Sequence, residues 1–124
     1  MRQLADSPAP IDPITFSVLI SRIESIATEM TIALENASMT AILGLCRDYS
    51  CCIYDVGLRQ VAAVDAIPIH TNSMHLLLRE VAQAFEGDIA PGDVIACNYP
   101  YSGNSHIGDL VTVCPVFVDG RQVF

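Results

Sequence analysis

Apolar residues at Phe16, Leu19, Ile20, Ile23, Ile26, Ala27, Met30, Ala33 and Leu34 recur at helical spacing, with Arg22, Glu24, Ser25 and Glu29 on the other face. That rhythm predicts a long amphipathic α-helix. Asp12-Pro13 marks its start, an N-cap carboxylate followed by proline at the first helical position. Ser7-Pro8-Ala9-Pro10 ahead of it reads as part of an extended arm over residues 1–11. The apolar, uncharged stretch from Ala37 to Leu45 either extends the helix or packs beneath it; periodicity does not decide between these.

Beyond Arg47 the pattern changes. Tyr49 to Val56 is strand-like, Asp55-Val56-Gly57 reads as a turn, and Leu58 to Val64 reads as a returning strand, so a β-hairpin is predicted. Thr71, Asn72 or Ser73 can cap a second helix whose apolar stripe is Met74, Leu77, Leu78, Val81 and Phe85, with Gly87 at its C-terminal end. Asp88 to Asp93 is a loop, Val94 to Cys97 a short buried strand, and Asn98 to Gly108 a polar, glycine-containing loop. Leu110 to Val118 reads as one strand whose Pro115 lies at an edge or bulge. Asp119-Gly120 is the dipeptide of a tight hairpin turn and predicts a return strand from Arg121. A strand that stops at Phe124 in the middle of its ladder reads as a truncated piece. The fold class expected is α+β, with a long N-terminal helix and a second helix packed on a small mixed or antiparallel sheet that includes the hairpin. A chain of 124 residues suits one domain over 1–124.

Composition changes that picture in two respects. The chain is 52% hydrophobic and 16% charged, against about 45–50% and about 25% in ordinary soluble domains, and the excess is expected to cover a partner surface. Six basic against fourteen acidic residues give a formal charge of −8, which repels a phosphate backbone and argues against nucleic acid as a partner. No apolar run reaches the roughly 18 residues of a membrane span, and no apolar segment of a secretory signal follows the N-terminus. The expected compartment is the cytoplasm. The five cysteines, Cys46, Cys51, Cys52, Cys97 and Cys114, contain no C-x-x-C pair and are expected as buried thiols, Cys46 drawing notice for its closeness to Asp48.

The densest polar cluster is Asn98-Tyr99-Pro100-Tyr101-Ser102-Gly103-Asn104-Ser105-His106-Ile107-Gly108-Asp109. His106 and Asp109 are an imidazole and a carboxylate three residues apart, able to converge on a divalent cation on a turn. On spacing alone a surface turn is the commoner reading. Asp48 stands just before a strand, where a solvated turn residue is the ordinary role. His70 follows Ile67-Pro68-Ile69 and precedes a helix start, a place for packing or capping; His75, beside Met74, reads as surface. No phosphate-cradling G-x-x-x-x-G-K-[ST] or G-x-G-x-x-G and no G-x-S-x-G nucleophile elbow occurs.

Several segments together carry a resemblance. Asp12-Pro13-Ile14-Thr15-Phe16-Ser17-Val18, leading into Arg22 to Met30, is similar to the opening helix of the hydantoinase B and oxoprolinase family. Arg47-Asp48-Tyr49-Ser50-Cys51 resembles its R-D-[FY]-S-C strand start, and Ile67-Pro68-Ile69-His70 with Ser73-Met74 its I-P-x-H-x-x-S-M segment. Ile89-Ala90-Pro91-Gly92-Asp93 echoes its L-A-P-G-D, and Ser105-His106-Ile107-Gly108-Asp109 its [TS]-H-x-x-D, with Pro115 to Gly120 following. Order and spacing agree over nearly the whole chain.

The resemblance implies a subunit that works with an ATP-using partner of the hydantoinase A type and opens hydantoins, oxoproline or lactams. Related enzymes carboxylate acetone or acetophenone. It implies that Asp48, His106 and Asp109 bind a divalent metal, Zn²⁺ or Mn²⁺, together with a histidine further downstream than Phe124, and that His70 serves catalysis through proton transfer or from the second ring of groups. ATP is then bound by the partner, and the assembly is a hetero-oligomer that includes the remaining part of the subunit. Two departures stand out. Asn98-Tyr99-Pro100-Tyr101 replaces the usual N-D-P-Y, placing a phenol at Tyr99 where an acid is expected. Gly103-Asn104-Ser105-His106 replaces G-G-T-H and is closer to the G-N-x-H of ketone carboxylases, whereas R-D-[FY]-S-C points to amide hydrolysis. The reading is a metal-binding part of an ATP-dependent cyclic amide hydrolase. The alternatives are a ketone carboxylase subunit and a truncated or split module that serves assembly alone.

Overall fold

The computed structural model of the chain describes residues 10–65 and 67–124. The predicted arm over residues 1–11 lies outside the described residues except for Pro10 and Ile11, which are non-helical and exposed.

Helix α1 spans Pro13–Ala37. Asp12 caps it as the sequence predicts, its Oδ1 accepting from the backbone N–H groups of Ile14 and Thr15 at 3.0 Å each. Hydrogen bonding to Thr15 and to the Ile14 amide holds the Asp12 carboxyl below its ordinary value of 3.8. This capping contribution is therefore complete above that value and is lost as the pH falls through the lower, folded one. Asp12→Ala is expected to speed amide exchange in the first turn of α1 at neutral pH and to leave later turns unchanged; equal exchange in both chains would contradict the capping role.

The open question after Ala37 is settled by Ser38, which ends α1, and by Thr40, which caps a separate single turn, α2, at Ala41–Gly44. The hairpin is present as β1, Ser50–Tyr54, paired antiparallel with β2, Gln60–Asp65. Its turn is longer than Asp55-Val56-Gly57. Leu58 adopts a left-handed backbone, φ 58°, and Asp55 Oδ1 accepts from the Gly57 and Arg59 amides, so the return strand starts at Gln60 rather than Leu58.

Helix α3 covers Pro68–Ala84 and begins earlier than the expected cap at residues 71–73. Proline at the first helical position fixes the start, and Thr71 turns its hydroxyl back to the Pro68 carbonyl instead of capping. His70 thereby sits inside the first turn of the helix, not before it.

The third region is a set of short ladders. β3, Ile95–Cys97, pairs antiparallel with β4, Val111–Val113. β5, Phe117–Val118, pairs antiparallel with β6, Arg121–Gln122. The single strand expected over Leu110 to Val118 is thus two, interrupted at Cys114-Pro115-Val116, because Pro115 has no N–H to give to a ladder. Val94 is exposed and β3 only half-buried, so the expectation of a buried strand there does not hold. The turn before β6 is as the sequence predicts: Asp119 and Gly120 both take positive φ, 50° and 73°, which the twist of a two-residue hairpin demands.

α1 and α3 both pack on the β1–β2 hairpin. The buried apolar residues are few: Ala27, Tyr49, Ala62, Leu77, Leu78 and Val81. Along α1 only Ala27 and Thr31 are buried, while Phe16, Leu19, Met30 and Leu34 of the predicted stripe stay exposed. The accessible surface is 9257 Å², whereas a compact monomer of this mass exposes roughly 6500 Å² by the usual scaling. Large apolar faces are therefore uncovered. The same openness overturns the expectation of buried thiols: Cys46 and Cys114 are exposed and Cys51, Cys52 and Cys97 half-buried, with no disulfide among them. Among the described residues no helix is long and apolar enough to cross a membrane.

Candidate functional site

Three separate segments deliver polar side chains to one place. Asp48 comes from the link between α2 and β1, His70 from the first turn of α3, and Asp109 from the loop between β3 and β4. The nitrogen Nε2 of His70 lies 3.4 Å from Asp109 Oδ2 and 4.0 Å from Asp48 Oδ1. His106 meets the same carboxylate oxygen, Nδ1 to Oδ2 at 3.0 Å. His70 and Asp109 are largely shielded, at 13% and 20% side-chain exposure, whereas His106 is at 63%.

Asp48 is held by its neighbours. Arg47 takes a left-handed backbone, φ 52°, and places its Nε 3.3 Å from Glu35 Oε1 near the end of α1. Tyr49 is buried, and its hydroxyl donates to the same Glu35 oxygen. The Asp48 amide donates to the Ile42 carbonyl at 3.3 Å. The bond to Glu35, aided by burial, pushes the Tyr49 phenol above its ordinary 10.0. Its stabilising contribution is therefore complete below pH 10 and disappears as the pH climbs through the raised, folded value. Tyr49→Phe is expected to lower the melting midpoint at neutral pH and to flatten its decline above pH 10; an unchanged alkaline profile would contradict the Glu35 contact.

The 104–109 loop is folded on itself by Asn104, whose Nδ2 donates to the carbonyls of Asp109 at 2.8 Å and His106 at 3.1 Å. Ser105 Oγ lies 3.0 Å from His106 Nδ1 and donates to Asp109 Oδ2. Ahead of it a 3₁₀ turn at Pro100–Ser102 ends at Gly103, φ 93°. A Cβ on Gly103 would stand 2.7 Å from Leu76 Cβ and 2.8 Å from the Leu77 amide nitrogen. Glycine is what lets the loop lie directly on α3, the helix that carries His70.

Sequence reasoning did not anticipate Ser50, Asn104 or Ser105 as parts of this site. Ser50 Oγ donates to the Ile67 carbonyl at 3.3 Å and sits 3.5 Å from His70 Nδ1; its signal in the chain is only its place after Asp48-Tyr49. Tyr99, the phenol in place of an acid, is exposed and packs on Tyr101 with ring centroids 5.4 Å apart.

Asp48, His70, Asn104 and Asp109 line one part of a cleft of about 1370 Å³ whose remaining wall includes Ile23, Met30, Leu34, Leu78 and Val81. An apolar cleft with a few converging polar groups is the usual form of a small-molecule site. The donors meet in pairs, His70 with Asp48 and both histidines with Asp109, and among the described residues no three His, Cys, Asp or Glu groups are placed to hold a metal ion. The donor chemistry, imidazole nitrogen with carboxylate oxygen, is that of Zn²⁺ and Mn²⁺ sites.

Residues 12–124 match the family model for hydantoinase B/oxoprolinase. The chain is 38% identical over 120 residues to the 5-oxoprolinase PfmaA of Pestalotiopsis fici, covering 97% of this chain and 9% of that protein. It is 38% identical over 114 residues to caprolactamase subunit beta of Pseudomonas jessenii, covering 92% of this chain and 20% of that one. With the 5-oxoprolinase of Saccharomyces cerevisiae it shares 33% identity over 115 residues, 92% of this chain and 9% of the relative. It therefore spans a fifth or less of each of these relatives. No solved structure matches.

Proposed function

This chain belongs to the hydantoinase B/oxoprolinase family, and on that premise we propose that it forms the cation-holding portion of an ATP-dependent enzyme that hydrolyses a cyclic amide. The observation that carries the proposal is the meeting of Asp48, His70 and Asp109 from three distant segments at the wall of an apolar cleft. Relatives named 5-oxoprolinase and caprolactamase subunit beta supply the substrate class, a small lactam-type ring.

Asp48, His106 and Asp109 are the residues that would hold a Zn²⁺ or Mn²⁺ ion. Such an ion, when bound, polarises a carbonyl or lowers the pKa of a water to about 7. The chain's own side chains do the rest. Asn104 and Gly103 fix the loop that carries His106 and Asp109, and Glu35 fixes the strand start that carries Asp48. The cleft wall of Ile23, Met30 and Leu78 receives the methylenes of the ring and sheds water from it.

ATP is assigned to a partner subunit of the hydantoinase A type, as the resemblance to the family implies. The name of the caprolactamase subunit supports a hetero-oligomer. Residues 1–124 are then one unit of a larger subunit, and the uncovered apolar surface is where the remaining part of that subunit packs. The cytoplasm suits such an enzyme, supplying ATP and keeping its cysteines reduced.

Ketone carboxylation is the second reading, favoured by Gly103-Asn104-Ser105-His106. The test is an assay of the subunit purified with its copurifying chains, with ATP and in turn 5-oxoproline, caprolactam, a hydantoin and acetone plus bicarbonate. ATP-dependent ring opening supports hydrolysis. Carboxylation of the ketone alone replaces it, and a complex that turns over none of these leaves this piece with assembly as its role.

A further inference from the structure

We propose that the cleft is an acceptor slot for a β-strand from the part of the subunit that follows Phe124, and that this strand pairs with the outer edges of β1 and β4 to join their two ladders into one sheet. The proposal rests on the reading of residues 1–124 as one unit of a larger subunit, and deepens it. Side chains along a strand point alternately to opposite faces, so a cleft lying against one face is lined by every second residue. This cleft is lined by residues 48–56 without a gap, through the whole of β1, and by none of residues 60–64 of β2. It is lined equally without a gap by residues 108–117, through the whole of β4, but by Ile95 alone from β3. Unbroken lining marks a strand edge, and here two edges look into one space. Among the described residues β1 is laddered to β2 and β4 to β3, with no third strand in either sheet.

The layers on either side favour a strand as the occupant. Tyr49 donates to Glu35 of α1, and the next residue, Ser50, donates to the Ile67 carbonyl at the start of α3. The two helices therefore lie on opposite faces of β1. Met30 and Leu34 from α1 and Leu78 and Val81 from α3 wall the cleft, so the incoming strand is apolar on both faces, as strands between two helix layers are. Once the cleft is filled, backbone groups along both edges lose water and need partners. A helix satisfies its own backbone and offers them none, whereas an extended segment bonds to both edges. The space also fits. A strand as long as β1, five residues, is about 17 Å long, about 4.8 Å wide and about 10 Å deep between layers, or roughly 800 Å³. Out of about 1370 Å³ that leaves room on the order of 500 Å³, within the usual range for a small-molecule site. Phe124 itself lines the cleft, so chain that continues from it starts at the slot, and four fifths of caprolactamase subunit beta lie outside the matched region.

The experiment uses the full-length subunit, with and without its copurifying chains, and reads two quantities. One is the rate at which iodoacetamide alkylates Cys114, a residue exposed in the 1–124 unit and lining the cleft. The other is residue-resolved hydrogen exchange over residues 50–54 and 111–113. Cys114 is expected to react at least about 100-fold more slowly than in the urea-unfolded chain, as for a group reached only by local opening. In a two-stranded ladder alternate amides point away from the partner strand; these are expected to exchange as slowly as the amides bonded to β2 and β3. Protection that persists without the copurifying chains supports a strand from the subunit itself, and protection lost on their removal overturns that source in favour of a partner's strand. A protected Cys114 with fast alternate amides overturns the strand while leaving the packing of the larger subunit intact. Cys114 alkylated at the unfolded rate overturns that packing reading as a whole.

Discussion

Asp109→Asn is expected to leave the subunit with less than about a tenth of the parent's bound metal and without ATP-dependent ring opening, while folding normally. Asp109 Oδ2 is the one atom that His70, His106 and Ser105 all meet. Asparagine keeps the shape and can still accept from the Ser105 hydroxyl, and the bonds that the Asn104 side chain donates to the carbonyls of residues 106 and 109 do not involve the Asp109 side chain. What it removes is the negative charge, and a hard or borderline cation loses its strongest oxygen donor. Unaltered near-ultraviolet circular dichroism with full metal content would show that Asp109 serves the loop and not a cation.

Gly103→Ala is the largest structural effect expected. At φ 93° an alanine is strained, and its Cβ would press on the Leu76 side chain and the Leu77 backbone at 2.7 and 2.8 Å. Leu77 is fully buried, so the helix does not retreat; the loop must lift. Backbone strain and overpacking together cost about 3 kcal/mol, which corresponds to a fall of roughly 10 °C in melting midpoint for a domain of this size. The site suffers with the fold, because lifting the loop separates His106 and Asp109 from His70. A thermal scan paired with Co²⁺ titration checks both effects, and an unchanged midpoint would show that the loop does not rest on α3 in solution.

Local signals in the chain carried the parts of the fold that depend on neighbours in sequence. Asp12-Pro13 marked the start of α1, the apolar and β-branched runs marked the first hairpin, and Asp119-Gly120 marked the last turn. What escaped depends on competition between signals. Thr71, Asn72 and Ser73 all look like caps, yet Pro68 starts the helix first. Pro115 predicts an edge or a bulge, but in a ladder only a few residues long one missing donor is enough to split it. Cysteine burial failed because it presumes a closed core, and the apolar faces of this chain are left open.

The site divides along the same line. His106 and Asp109 stood out as a local pair, whereas Asp48 and His70 drew notice through resemblance, each with an ordinary structural role when read alone. That Asp48, His70 and Asp109 meet is a property of the tertiary fold, since α3 has to lay its first turn between a strand start and a distant loop. No spacing in the sequence encodes that meeting.

Elemental analysis of the subunit, purified with its copurifying chains, against the His106→Ala/Asp109→Ala double variant bears on the central claim most directly. The expected result is near-stoichiometric zinc or manganese in the parent and its loss in the variant, with the same chains still bound. Metal absent from both, or equally present in both, would contradict a cation site built on these residues.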